Sequence, residues 1–328
     1  MATTLAVAVG AVLAVGENPV EIYATLVQEA FGDPTRAAIT IARTLPILGA
    51  ATAAWLSLQG GVFNIGQEGQ MVLGGFVAAV VGAALAAPGW VAVAAAVAAA
   101  AGLAALLGTL SALLESRYGT PIIISTLLTN FIVVLGVSQL VNSTFQEPGA
   151  YGGQTVRIRE SAELPRLVAG SSLGYGVFIV AALTALTVLI VKTTRVGYSV
   201  RIMGSNREAA KASGIDTRRA TYQVVGVAAA VAGITGAVEI LGVQYRYADG
   251  ALTGTGVAWI GVLAGILGRR SATSMIVAAL LFGTLVSGAS GLVRSTDIPF
   301  ELTAIIQATL ILAMAARFGA TSDRSAAS

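Results

Sequence analysis

Runs of about 20 apolar residues, the length that crosses a bilayer, recur along this chain. They are rich in Ala, Val, Leu and Gly and do not alternate with polar residues, so they specify helices and not the strands of a barrel. The segments read as spans are Thr3–Val15, Ala37–Leu58, Met71–Ala87, Trp90–Leu114, Ile122–Phe145, Leu173–Val191, Tyr222–Leu241, Leu252–Leu267, Ala272–Leu292 and Leu302–Ala316. The first is short and lacks the basic start of a signal peptide. Charge agrees with this reading. Only 11% of 328 residues are Asp, Glu, Lys or Arg, against about 25% in soluble chains, too few to cover a soluble surface. The expectation is an all-α polytopic membrane bundle of about ten helices, a single transmembrane domain over residues 1–328.

The missing residue types exclude chemistry. The chain has no cysteine and no histidine, which removes thiolate nucleophiles, disulfides, the imidazole base and the usual zinc and iron–sulfur ligands. No catalytic residue, metal site or cofactor is expected, and no nucleic-acid partner. Gly288-Ala289-Ser290-Gly291 has the form of an intramembrane protease motif but lacks a histidine partner, so small-residue helix packing explains it better. The lysines, Lys192 and Lys211, lie outside any phosphate-binding loop, so ATP-driven work would fall to another chain.

Basic residues set the orientation. Seven fall within Lys192–Ala220, and with Arg117, Arg269, Arg270, Arg317 and Arg324 they make twelve on one side. The other side takes Arg36, Arg43, Arg157, Arg159, Arg166, Arg246 and Arg294, and its Gly16–Thr35 segment holds four acids. Both termini are therefore expected in the cytoplasm, in a multi-pass protein of the plasma (inner) membrane. Val20–Phe31 has a helical pattern suited to the outer interface. Gln146–Ser172 is a polar loop, either a solvated cap or a docking surface for an external partner.

The most informative polar segment, about residues 195–220, contains Ser205 and Glu208 in an S-x-x-E capping box, which predicts a helix starting at Asn206. Gly214 supplies its stop. Two turns are too few for independent stability, so packing against something is expected; Arg207 and Lys211, four apart, share a face suited to an acidic surface or lipid headgroups. Two glycine-rich breaks interrupt apolar runs: Gly60–Gln70, with Phe63-Asn64-Ile65-Gly66-x-Glu68-Gly69-Gln70, and Tyr245–Gly256. Transporters place such breaks beside the solute path, where backbone groups meet a cavity instead of lipid; an ordinary loop is the alternative. Asn130 either binds solute or locks two helices. Glu239 is expected to cap a neighbouring helix or pair with Arg246, and Gly261 with Gly265 to pack helices closely.

Gly204, Asn206, Ala209, Ala210, Gly214 and Ile215, in that spacing, resemble the coupling-helix segment of ABC importer permeases of the branched-chain amino acid, simple sugar and nucleoside superfamily. The Phe63–Gln70 motif is similar to the nucleoside-type branch, and Thr120–Phe131 and Gly236–Gly242 extend the likeness over most of the chain. The resemblance implies an ATP-driven permease for nucleosides, paired with a second permease subunit (a paralogue), a cytoplasmic ABC ATPase and an extracytoplasmic substrate-binding lipoprotein. It makes Arg201, Arg207, Glu208, Lys211 and Ile215 ATPase contacts, within the same segment. Path nominees are Phe63, Asn64, Glu68, Gln70, Asn130 and Trp259. The alternatives are a monosaccharide or branched-chain amino acid permease, or an ion-coupled secondary transporter, for which the acids near spans, Glu68 and Glu239, are few.

Overall fold

The computed structural model describes residues 18–254 and 256–295, with Gly10 and Leu13 besides. In chain order the helices are α1 (Pro19–Phe31), α2 (Pro34–Gln59), α3 (Gln67–Ala84), α4 (Gly89–Tyr118), α5 (Ile122–Val141) and α6 (Gly176–Thr193). They continue with α7 (Arg195–Ser205), α8 (Arg207–Ala212), α9 (Thr217–Glu239, prolonged by a π turn, Ile240–Gln244), α10 (Val257–Leu267) and α11 (Ala272–Ser295). Among the described residues, β pairing is limited to two isolated bridges.

Among the described residues six helices are long and apolar enough to cross a membrane: α2, α4, α5, α6, α9 with its π turn, and α11. The expected count of about ten is not met among the described residues. Thr3–Val15 and Leu302–Ala316 lie outside them. Helix α3 has the length, 18 residues, but begins with Gln67, Glu68 and Gln70, which dilute its hydropathy. The stretch Leu252–Leu267 is not a full span: helix begins only at Val257, and its 11 residues rise about 17 Å, roughly half of a bilayer core.

Burial separates the bundle's centre from its rim. Within their apolar windows α9 is 78% buried and α2 67%, whereas α4, α5 and α6 are 28% buried each. The rim helices expose Leu106, Leu128, Ile132, Leu135, Phe178 and Leu189, a surface suited to lipid rather than water. Helix α9 packs against α2, α3 and α4. Its closest contact is made by small residues: Ala92, Ala96, Ala100, Ala104, Gly108 and Ala112 of α4 are buried at four-residue intervals. A Cβ on Gly233 of α9 would stand 2.8 Å from the Ala100 carbonyl oxygen. Without a hydrophobic gain between helices in lipid, this backbone approach and the dispersion contacts it permits hold the pair.

The expected packing roles of two glycine motifs hold. Gly261 and Gly265 of α10 lie against α2, where a Cβ would approach the Ile47 and Ala51 carbonyl oxygens at 2.8 and 2.9 Å. Gly288 and Gly291 of α11 receive α1, whose Leu26 carbonyl oxygen and Glu29 Cγ would meet added methyls at 2.6 and 2.8 Å. Helix α1 itself covers the predicted Val20–Phe31, with Asn18 capping Val20 N–H at 3.0 Å and Pro19 in the first turn.

The two ends of the bundle differ. Helix α6, about 27 Å long, separates a loop end, containing residues 142–175, from a basic end made by α7 and α8. At the loop end residues 154–164 fold back over the termination of α9. Ile158 N–H donates to the Tyr245 carbonyl (2.9 Å), Thr155 N–H to Tyr247 (2.9 Å) and Leu164 N–H to Leu241 (2.8 Å). These bonds satisfy carbonyls left open where the helix ends, so the polar loop is an ordered cap.

Candidate functional site

The first glycine-rich break lies at the basic end and is tied down by its own polar residues. Asn64 Oδ1 accepts the Gly66 N–H (2.8 Å) and its Nδ2 donates to Gln70 Oε1 (3.3 Å). Ile65 N–H donates to Thr126 Oγ1 of α5 at 3.2 Å. Asn130, also on α5, accepts the Gly69 N–H and donates to Glu68 Oε2 at 3.1 Å. Asn64, Gln70 and Asn130 are buried, and each spends hydrogen-bonding groups on the chain itself. For Asn130 this is the helix-locking arrangement, joining α5 to the first turn of α3. Of the six path nominees, Asn64, Glu68, Gln70 and Asn130 share this network, and Phe63 and Glu68 keep partial access to solvent. Trp259 stands apart on α10, 43% exposed.

Gln67 was not singled out by its sequence context. It is fully buried, and neither its Oε1 nor its Nε2 has a partner. The signal available in the sequence was a second amide between Gly66 and Glu68, one more polar group than the α3 first turn requires.

Helix α7 rests directly on this break. A Cβ on Gly61, where φ is +69°, would lie 3.0 Å from Gly204 Cα. A Cβ on Gly204 would overlap the Gln59 carbonyl oxygen and stand 2.8 Å from Gly61 N. Backbone therefore meets backbone, and a displacement of α7 along the bundle must move residues 59–61. Met203 adds side-chain contact, its Cε placed to meet a methyl on Gly60 at 3.4 Å. Sequence reasoning found both segments but not their contact.

The capping box proves to be one residue displaced. Ser205 closes α7, its hydroxyl donating to the Ile202 carbonyl at 2.9 Å. Asn206, in extended conformation, is the N-cap: Oδ1 accepts from both Glu208 and Ala209 N–H at 3.0 Å. Helix α8 thus starts at Arg207, and Gly214 ends it as predicted, with φ +78° and Ile215 N–H returned to the Ala210 carbonyl at 3.0 Å. The segment is two helices at a sharp corner, not one helix in a loop.

Burial sorts the residues of this segment. Ala210 is fully buried with Val200, Met203, Ala220 and Val224, and Ile215 packs on that cluster. Arg201 donates to the Lys192 carbonyl (3.1 Å) and closes α6. Asn206, Arg207, Glu208, Ala209, Lys211 and Gly214 remain exposed. Arg207 pairs with Glu115 of α4 at 3.3 Å, and Lys211 with Glu208 at 2.8 Å. The Lys211 hydrogen bond and charge hold the Glu208 carboxyl below the usual carboxylate range. That pairing is complete at neutral pH and lost as pH falls through the lowered value. Arg207, Lys211 and Arg218 border one groove against α4, so the shared basic face is present.

The second break lies at the opposite end and penetrates the bundle. Tyr247 meets the Phe76 ring edge-on, with centroids 6.0 Å apart, and Leu252 approaches Gly75, both on α3. Helix α10 then starts near the middle of α2, its second turn meeting Ile47 through Gly261, and ends where Gln59 Nε2 donates to the Arg269 carbonyl at 2.7 Å. An irregular segment followed by a half-length helix is the arrangement that membrane transporters place beside a cavity. The expected Glu239–Arg246 pair is absent: Arg246 bonds Glu147 at 2.5 Å, because the cap loop brings that carboxylate closer. Glu239 instead faces a cavity.

The model of the family described as the branched-chain amino acid transport system / permease component matches residues 37–315. The chain belongs to this family. Similar proteins include the guanosine ABC transporter permease protein NupP of Bacillus subtilis, 27% identical over 97% of this chain and 92% of that one. The glucose ABC transporter permease protein TsgB13 of Haloferax volcanii is 30% identical over 94% of this permease and 83% of its own length. The nucleoside ABC transporter permease protein NupB of Lactococcus lactis is 27% identical over 93% and 86%. The permease is thus a multi-pass membrane subunit of an ABC transport system, with a transport role and not a catalytic one.

Proposed function

We propose that the permease forms the solute path of an ATP-driven importer for nucleosides. The observation that carries the coupling part is the backbone contact between Gly204 and Gly61, which joins the exposed basic segment to the break at the head of α3. An ABC ATPase docked on Arg207, Glu208, Ala209, Lys211 and Gly214 would push α7, and Arg201, Ala210 and Ile215 would hold the segment to the bundle. A second, paralogous permease subunit completes the path, and a lipoprotein delivers solute at the loop end. The nucleoside substrate is supported by the NupP and NupB relatives together with the Phe63–Gln70 motif; the sugar alternative has the TsgB13 relative. Within the path, Phe63, Glu68 and Trp259 offer accessible surface, and Asn64, Gln70 and Asn130 position them.

Residues 1–328 act as one permease domain with both termini cytoplasmic, as the concentration of basic residues between 192 and 220 supports. About ten membrane elements result when α3, the half-length α10 and the terminal segments Thr3–Val15 and Leu302–Ala316 join the six long helices.

Uptake of radiolabelled guanosine by cells carrying the whole transporter, challenged in turn with unlabelled uridine, glucose and leucine, tests the substrate. Competition by uridine alone is expected; competition by glucose or leucine and not by uridine would replace the nucleoside. Lys211→Glu tests the docking surface. Both partners of that ion pair are exposed, so its loss costs the fold little. Uptake is nevertheless expected to fall several-fold, with less ATPase co-purifying. Unchanged uptake and unchanged co-purification would remove Lys211 from the contact.

A further inference from the structure

We infer that the cavity at the loop end is a solute site within this single chain, where Arg43 and Glu239 hold the donor–acceptor edge of a nucleobase. The inference rests on the nucleoside reading above. The cavity has a volume of about 580 Å³, inside the range of roughly 300–1,000 Å³ typical of small-molecule sites. It lies among α2, the end of α9, α11, the cap loop and the irregular segment before α10.

Two ionisable groups in its wall have no structural task that explains them. Arg43 lies within α2, in an apolar run. Its Nη1 is buried and has no hydrogen-bond partner. Glu239, at the last turn of α9, is surrounded by protein yet partly accessible because it faces the cavity. Gln244 lines the same wall, and the carboxylate has acceptor capacity to offer a solute. Among the described residues no ion pair joins Arg43 to Glu239, although both line the same space. Ionisable groups inside a span are retained for function far more often than for stability.

The chemistry of the lining selects the ligand. A guanidinium donates and a carboxylate accepts, so a solute presenting an acceptor beside a donor satisfies both at once. A nucleobase does this along one rim, as guanine does with its O6 carbonyl and N1–H. Ile39, Pro46, Val257 and Val286 supply apolar wall for the faces of a flat ring. Ser172 and Gln244 offer a hydroxyl and an amide to a ribose. A monosaccharide would leave the apolar walls without a comparable flat partner, and a free amino acid would fill only a small part of the volume.

The test is equilibrium binding of radiolabelled guanosine and 1-methylguanosine to the full-length permease, purified with its co-purifying subunits and without added binding protein. Methylation removes the N1–H that Glu239 accepts. The native permease is expected to bind guanosine at least about tenfold more tightly than its methylated form. Glu239→Gln, nearly isosteric, should lose that discrimination, and Arg43→Lys should weaken both ligands while complexes elute unchanged. A native permease that binds neither ligand while the intact transporter takes up guanosine would overturn the site alone. Discrimination undiminished in Glu239→Gln would do the same. If the intact transporter takes up no nucleoside, the substrate reading fails in the uptake assay itself, and the site falls with it.

Discussion

Gly204→Ala is expected to lower ATP-driven uptake at least about tenfold, with the chain still present in the membrane. The added Cβ would overlap the Gln59 carbonyl and crowd Gly61 N, and a backbone obstacle cannot rotate aside as a side chain does. Overpacking of this kind costs about 1–3 kcal/mol. Since 1.4 kcal/mol is a factor of ten in an equilibrium, relieving the overlap by lifting α7 off the break is enough to disconnect them. The matched control is Gly102→Ala on α4, whose Cβ would meet nothing within 4 Å and should leave uptake unchanged. Uptake and ATP hydrolysis, measured together on the assembled transporter, separate uncoupling from loss. Hydrolysis that continues without uptake is the expected result; uptake equal to that of Gly102→Ala would show that the contact transmits nothing.

Asn130→Ala should have the largest effect on stability among the polar residues of the first break. Asn130 satisfies the buried Gly69 N–H and donates to Glu68 Oε2 at 3.1 Å. Removing it strands a backbone donor at the head of α3, at about 1–3 kcal/mol, and takes a hydrogen bond from a carboxylate, commonly about 1.5–3 kcal/mol. The two overlap, so the expected loss is roughly 2–4 kcal/mol, read as a lower melting temperature and less assembled complex. Asn130→Asp keeps an acceptor for Gly69 but sets a second carboxyl beside Glu68, and should not rescue. Full stability of Asn130→Ala, with uptake lost, would mean that the residue serves the solute instead of the fold.

Run length told most of the architecture. All six long helices begin within five residues of the expected starts, because about 20 apolar residues leave a chain little choice in a bilayer. Hydropathy could not locate the half-helix. Leu252–Leu267 is apolar enough, but Gly250 and Gly256 take positive φ, and backbone direction is invisible to a sum over side chains. Helix α7 is not legible in the sequence because Gly197 and Gly204 weaken local helical propensity, while close approach to the end of α6 demands the first and contact with the break the second. At the corner between α7 and α8, Ser205 and Asn206 are both capping residues. The longer Asn reaches two free N–H groups, and Ser205 turns back to its own helix.

Other signals lay in the sequence and needed the structure for their meaning. The alanines at every fourth position of α4 mark a close helix contact, but not that α9 is the partner. Arg43 interrupts an apolar run, the ordinary sign of a working residue in a membrane, and only the fold places it in the same wall as Glu239, almost two hundred residues later. The two glycine-rich breaks share one sequence character. They occupy opposite ends, one under the basic segment and one beside the cavity, so a push at the first and a solute at the second are separated by the length of the bundle.

The permease is expected to carry solute only when another subunit hydrolyses ATP. The most direct measurement is guanosine uptake into proteoliposomes containing the permease with its co-purifying subunits, supplied with ATP, with a non-hydrolysable analogue, or with an ion gradient alone. Uptake that requires ATP and stops with the analogue is predicted. Uptake driven by the gradient without ATP would contradict it.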